Sequence, residues 1–350
     1  MIVGILFYIF VLSKKFLRIS ELFIILTVIL LKDRRGIMNL EKNKVTIKGK
    51  YNLKGSLTIP KSKENKYPAV LIIQGSGDLD RDGNTKKLKL DIYKDLANII
   101  SKEGFATLRY DKRGCGESEG NYFETGFWDL VDDAEKALTF LKNHPNIDKD
   151  NIIIIGHSEG AIIAPTLYQR QKFNGLILLS GAKESIGNTI KRQLEDTIKE
   201  INSFTGIKGF IVRLLKVSDK IRKQNKKLIK KILESNEDVI KFKGKKVNAK
   251  WIREHYNYNV EKAFKDVECK TLVLVGDKDI QVVPEQSKEM ANDIKGPSEY
   301  HIIKDMNHIL KKDPKSNREI SDVKKYKKMK DRPMDKELIT YIKDWLKNFK

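Results

Sequence analysis

The sequence predicts an α/β fold, a doubly wound and mostly parallel sheet with a helical insertion, and three observations carry that expectation. Short apolar runs of strand length recur along the chain, several of them separated by helical patterns. One run feeds straight into a glycine-flanked serine turn with a helical pattern behind it. A single stretch, residues 181–270, breaks the alternation with helical spacing alone. Alternation of strands and helices is how a largely parallel sheet covered on both faces is written in sequence.

Residues 45–48 and 53–59 read as an antiparallel hairpin that opens the sheet. The runs 68–73, 105–111, 151–155, 174–179, 271–275 and 300–303 follow as strands. Their near-continuous apolar character suits strands buried on both faces. Helical patterns at 90–102, 128–143, 160–171, 284–294 and 334–349 supply the flanking layers. Within 181–270 the pieces 189–201, 210–236 and 248–264 look helical, Gly206, Gly209 and Gly244 act as breaks, and no strand signal is found. Lysines outnumber acids there, which reads as a solvated helix face, with steering of an anionic substrate or contact with a membrane surface as the alternative.

The most informative stretch is N-I-I-I-I-G-H-S-E-G-A, residues 151–161. A β-branched run, a Gly-x-Ser-x-Gly turn and a helix follow one another, the context in which this motif marks a nucleophile elbow. Glycines on either side permit the sharp turn, so Ser158 is expected on a strained corner at the carboxyl edge of the sheet. An elbow predicts an acid and then a histidine later in the chain. Gly276-Asp277-Lys278-Asp279 follows the strand 271–275, and Lys304-Asp305-Met306-Asn307-His308 follows the strand at 300–303. The chain has 5 histidines, and only His308 falls in a loop after the acid-bearing strand. Asp277 and Asp279 compete for the acid; Asp279 is preferred because a position two residues further out reaches an imidazole more easily.

These residue types are what the chemistry requires. A serine hydroxyl is a weak nucleophile at neutral pH, so His308 must take its proton and return it to the leaving group, while Asp279 fixes the imidazole tautomer. The oxyanion needs two preorganised N–H donors. Glu159, directly after the serine, is expected to give one. Ser76, in the Gln74-Gly75-Ser76-Gly77 turn after the third strand, is expected to give the other.

Five motifs then stand in order: Q-G-S-G-D-L-D-R-D-G-N (74–84), L-R-Y-D-K-R-G-C-G-E-S-E-G (108–120), I-G-H-S-E-G-A-I-I-A-P (155–165), V-G-D-K-D-I-Q-V (275–282) and the M-N-H that ends at His308. On these the chain resembles a bacterial α/β-hydrolase of the serine esterase type. It is similar to the dienelactone-hydrolase and prolyl-oligopeptidase-like branch, which includes small carboxylesterases and acyl-CoA thioesterase-like proteins. The likeness covers about residues 51–308. Gln74 stands where relatives often carry histidine, and Ala161 where they often carry glycine. The resemblance implies a lid over the active site and a carboxylic-ester hydrolase that works through an acyl-enzyme on a small-molecule ester. Acyl-CoA thioesterase and serine peptidase are the alternatives within the fold. A non-catalytic binding protein of this kind typically lacks a triad member, and here all three are present.

Composition adds bounds. A chain of 350 residues with 40% hydrophobic content can bury a full core, and one catalytic domain, 38–350, with its insertion accounts for it. The net charge of +22 is spread along the chain without a recognition helix, zinc finger or aromatic-basic motif, so no nucleic-acid partner is expected. Cys115 and Cys269 form no disulfide or metal pattern, no phosphate-cradling loop is present, and the proposed chemistry needs neither cofactor nor metal. Residues 2–12 and 22–31 are apolar runs split by Lys14, Lys15, Arg18 and Glu21. Each is shorter than the ~20 residues a bilayer span takes. Residues 1–37 are therefore expected to be either a membrane-associated segment, acting through residues 1–31, or an over-extension ahead of a start at Met38. A cryptic signal is the third reading. The location is accordingly cytoplasmic or membrane-associated.

Overall fold

The structure, a computed structural model, describes residues 39–61, 64–256 and 258–350. The expectations for residues 1–37 lie outside them. Ten strands are described: β1 (Asn39–Ile47), β2 (Leu53–Lys61), β3 (Tyr67–Ile73), β4 (Ala106–Tyr110), β5 (Ile147–His157), β6 (Gly175–Leu179), β7 (Val239–Phe242), β8 (Lys245–Asn248), β9 (Lys270–Gly276) and β10 (Ser298–Ile303). The α-helices are α1 (Ile92–Ser101), α2 (Phe127–Lys142), α3 (Gly160–Arg170), α4 (Ile186–Asn202), α5 (Gly206–Leu214), α6 (Val217–Leu233), α7 (Ala249–Tyr256), α8 (Val260–Lys265), α9 (Gln286–Asp293) and α10 (Lys336–Leu346).

Eight strands form one sheet in the order β1-β2-β4-β3-β5-β6-β9-β10. β2 runs antiparallel to β4, and every pairing from β4 through β10 is parallel. The run of four isoleucines in β5 shows why the sequence alternates so little. Successive side chains of a strand point to opposite faces. Ile152 and Ile154 join one core with α2 and α3, while Ile153 and Ile155 join the other with α1 and α10. β3 and β6 divide in the same way, with Leu71 and Leu178 on the first face and Ile72 and Ile177 on the second. Both faces are covered, so this is the doubly wound, mostly parallel sheet that the alternation predicts, and it is the arrangement that the resemblance to α/β-hydrolases implies.

The segment between β6 and β9 departs from the reading in two respects. It holds a strand pair, β7 and β8, which forms a separate two-stranded antiparallel sheet. Lys243 and Gly244 turn it with φ of 49° and 76°, the two positive φ values of a tight hairpin loop. The expected single helix over 210–236 is also two, because Lys216 takes φ 48° between α5 and α6. Ile240 and Val247 of the hairpin pack against Leu228 and Ile232 of α6 and Ala249 of α7. A 3-10 segment, Ile320–Met329, precedes α10.

Strand register places the loops that matter. Ile73 lies opposite Gly156, His157 opposite Leu179, Leu179 opposite Leu274, and Gly276 opposite Ile303. The carboxyl ends of five parallel strands therefore finish level, and their loops gather along one edge of the sheet.

Candidate active site

Ser158 sits at the end of β5 with φ 54°, left-handed backbone for a residue that carries a side chain. Such a conformation costs on the order of 1–3 kcal/mol and persists only where its surroundings enforce it. Here the surroundings are explicit. A Cβ on Gly156 would lie 2.2 Å from the Gly160 carbonyl oxygen, and one on Gly160 would lie 2.1 Å from that of Ile73. The Ser158 N–H donates to the Leu179 carbonyl at 2.9 Å, and the Ser158 carbonyl accepts from the Ala161 N–H at 2.9 Å. The turn is thus clamped between β3, β6 and the start of α3.

The loop after β10 brings His308 to it. Nε2 of His308 lies 3.1 Å from Ser158 Oγ, and Nδ1 lies 2.8 Å from Oδ2 of Asp279. Asp279 is fully buried, and its Oδ1 accepts from the backbone N–H groups of Gln281 (2.8 Å) and Val282 (3.2 Å). Burial works to raise this carboxyl, but the charge and hydrogen bond of His308 and the Gln281 N–H outweigh it and hold it below the usual range. The neighbouring Asp277 points elsewhere: its Oδ1 accepts from the Asp305 N–H at 2.6 Å and so pins the loop that carries His308.

Gly75 and Ser76 lie on the other side of the serine. A Cβ on Gly75 would come within 3.1 Å of Ser158 Cβ, so glycine is what lets this turn approach. Among the described residues, the N–H groups of Ser76 and Glu159 are both left without a protein acceptor.

Two buried networks around these residues leave no motif in the sequence. In the first, the Gly75 N–H donates to the Tyr93 hydroxyl at 2.8 Å, and that hydroxyl contacts Nδ1 of His157 at 2.8 Å. His157 Nε2 reaches the carbonyl of His308 at 2.9 Å. Burial, reinforced by the charge on His308, pushes the His157 imidazole down to about 3. The neutral ring then accepts from Tyr93 and donates to His308, joining the turn of Gly75 to the histidine loop. In the second, the Glu159 carboxylate is buried against Trp251 Nε1 (2.5 Å) and His255 Nε2 (3.0 Å) of α7, with Lys112 Nζ 3.6 Å away. Burial opposes ionisation, yet Lys112, His255 and Trp251 hold Glu159 at about 2. Lys112 also donates to the Gly75 carbonyl at 2.8 Å. A close approach of Gly75, Lys112, Glu159 and the α7 pair Trp251 and His255, drawn from four parts of the chain, is visible only after folding. His255, in a polar helical context by sequence, is in fact buried.

The motif at 108–120 is largely structural. Asp111 binds Arg81 and the Glu117 N–H, and Arg113 is buried against Asp133 and Asp129. A Cβ on Gly116 would strike the Asp111 carboxylate at 2.4 Å. Among the described residues, no group of three or more His, Cys, Asp or Glu could hold a metal ion, and both cysteines are free and buried. No described helix is long and apolar enough to cross a membrane.

Comparison with known proteins agrees with this architecture. The profile of the serine aminopeptidase S33 family (Hydrolase_4) matches residues 89–315. Esterase EstD of Thermotoga maritima is 25% identical over 272 residues, covering 77% of this chain and 60% of its own. A multifunctional-autoprocessing repeats-in-toxin protein of Vibrio vulnificus is 28% identical over 243 residues, which are 65% of this chain and 4% of the toxin. The chain thus spans less than two thirds of these curated relatives. Est1E from Butyrivibrio proteoclasticus, solved with ferulic acid bound, superposes with a TM-score of 0.56 at 17% identity over 87% of this chain and 98% of its own. A dienelactone hydrolase from Anabaena variabilis gives 0.51 at 13% identity over 89% and 98%. With more than half of its length matched by the family profile, and with that profile running through the elbow, the acid loop and the histidine loop, the chain belongs to the serine aminopeptidase S33 family of α/β-hydrolases.

Proposed function

We propose that the chain is a serine hydrolase that cleaves carboxylic esters through an acyl-enzyme. The observation that carries the reading is the unbroken hydrogen-bonded line from Ser158 Oγ through His308 to the buried Asp279, at 3.1 and 2.8 Å. Ser158 attacks the ester carbonyl as His308 Nε2 takes its proton, and Asp279 stabilises the imidazolium. The oxyanion is held by the N–H groups of Ser76 and Glu159. The tetrahedral adduct collapses as His308 returns the proton to the departing alkoxide, so the alcohol leaves and an acyl-Ser158 ester remains. Water, deprotonated by His308, then releases the acid and restores the serine. The esterase name of the T. maritima relative favours esters over amides, and the name of the family keeps aminoacyl substrates as the second reading. A cleft of about 580 Å³ lies between α4 and the segment after Asp279, lined by Arg192, Asp196, Ile280 and Val282; Ser158 and His308 do not line it. The insertion that carries α4 acts in this reading as the lid.

The test is labelling with a fluorophosphonate, followed by turnover of p-nitrophenyl esters, acyl-CoAs and aminoacyl anilides. Ester turnover is expected to exceed the other two. Ser158→Ala should keep the fold, lose the label and lose on the order of 10⁴- to 10⁶-fold in kcat. Undiminished turnover in folded Ser158→Ala protein would sink the assignment.

A further inference from the structure

Helix α5 is built the wrong way round for a helix packed on a globular core. Ile207, Phe210, Ile211 and Leu214 recur at i, i+3, i+4 and i+7, which aligns them as one stripe. Such a stripe normally faces the core, yet here Ile207 is 81%, Phe210 60% and Leu214 65% exposed, and Leu215 extends it. Gly209, the residue opposite the stripe at 100° per residue, is the buried one. The helix is therefore attached by its small side and presents its large side chains outward.

The surroundings of the stripe state what would cover it. Residues 203–233 contain ten lysines and arginines and one acid, Asp219. Lys208, Arg213 and Lys216 are exposed on or directly after α5, and Lys223 and Lys227 are exposed along α6. A wedge of aliphatic and aromatic side chains flanked along the chain by exposed cations matches an anionic bilayer surface, where the apolar groups enter the acyl boundary and the cations add electrostatic attraction. A second copy of the chain fits poorly, since pairing two such faces would bring like charges together.

We infer that α5, with the start of α6, is a docking surface for an anionic phospholipid membrane. The helix belongs to the insertion whose helix α4 bonds through Arg192 and Gln193 to the Gln281 carbonyl, two residues from Asp279. Docking would thus hold the carboxyl edge of the sheet near the lipid. The inference rests on exposure and charge and stands apart from the chemistry at Ser158.

The experiment uses the full chain carrying Ile211→Cys, labelled with an environment-sensitive fluorophore; the native cysteines are buried and leave position 211 as the reactive one. Phosphatidylglycerol-containing vesicles should shift the emission to the blue, phosphatidylcholine vesicles should not, and 0.5 M salt should weaken the effect. In vesicle sedimentation, Ile207→Asp with Phe210→Asp, and separately Lys223→Glu with Lys227→Glu, should each lower binding on the order of tenfold. Both pairs should leave turnover of a water-soluble ester unchanged, which also reports that they fold. Three results would overturn the inference: no shift with anionic vesicles, an equal shift with neutral ones, or an already blue emission that reddens on dilution, the sign of a self-associated stripe. Unimpaired vesicle binding by both variant pairs would do the same, placing membrane affinity elsewhere in the chain.

Discussion

At the scale of single residues, two aspartates two positions apart have different partners, and this separates their expected effects. Asp279→Asn should lose roughly 10³- to 10⁴-fold in kcat, because an amide in that place favours the wrong imidazole tautomer. Asp277→Asn should cost far less, since Asp277 only accepts from the Asp305 N–H. Reversed losses in steady-state kinetics would make Asp277 the acid. Tyr93→Phe tests the network behind the serine. It removes the hydroxyl shared by the Gly75 N–H and His157 Nδ1, leaving two buried polar groups unpaired at about 1–3 kcal/mol each. Lower stability in urea and a drop in kcat on the order of tenfold, through a loosened oxyanion turn, are expected. A Tyr93→Phe protein with unchanged stability and rate would show the network to be idle. Ser158, His308 and the preference for Asp279 could be read from sequence because each lies at a fixed point after a strand. Tyr93 could not, because it lies on a helix face at the same spacing as core residues such as Leu96 and Ile100, and only the fold turns its hydroxyl to His157.

At the scale of elements, apolar runs were a sufficient signal where a strand is buried on both faces, as in β3, β5, β6 and β9. The signal fails in β7 and β8, where Val239–Phe242 and Lys245–Asn248 are four-residue strands in which Ile240 alone is buried. Their flanks are rich in lysine, and Gly244 reads equally well as a helix stop or as the second residue of a hairpin turn. The role of α7 was likewise hidden, because Trp251 and His255, one helical turn apart, show their meaning only against Glu159. That contact yields a prediction for the whole insertion. Glu159→Gln leaves Lys112, itself buried, without its nearest carboxylate. Breaking a buried ion pair from one side costs about 3–5 kcal/mol. Urea denaturation should show a loss of that size, and limited proteolysis should cut faster within residues 186–256. Trp251→Phe, which removes one hydrogen bond and keeps the charges, should cost about 1 kcal/mol. Equal losses for the two variants would mean that packing of α7 outweighs the buried charges.

At the scale of the molecule, charge and burial combine into a dependence of stability on pH. The net charge of +22 already sets the compact state against self-repulsion, which grows as carboxylates protonate. Buried groups add specific steps. The His157 imidazole, at about 3 when folded, stays neutral in the native chain, while in the unfolded chain it binds a proton below the usual value of about 6.5. Between those values the unfolded state holds more protons, so stability is full above about pH 6.5 and falls as pH drops towards 3. Glu159 acts in the same direction at lower pH. Its native value of about 2 lies under the ordinary carboxyl value near 4.3, so its contribution is present above the ordinary value and lost below it. Asp279, also held down in the native state, adds to this second step. Thermal melts from pH 7.5 to 4.5 should therefore show Tm declining already from about pH 6.5, before any carboxylate titrates in the unfolded chain. His157→Gln isolates the first step, because an amide can still accept from Tyr93 and donate to the His308 carbonyl without titrating. Its Tm should decline less than that of the wild type over this range, the remainder coming from His144, which burial also pushes down, and both should fall together below about pH 4.5. Parallel curves across the whole range would show that the buried imidazole is not what makes the native fold acid-sensitive.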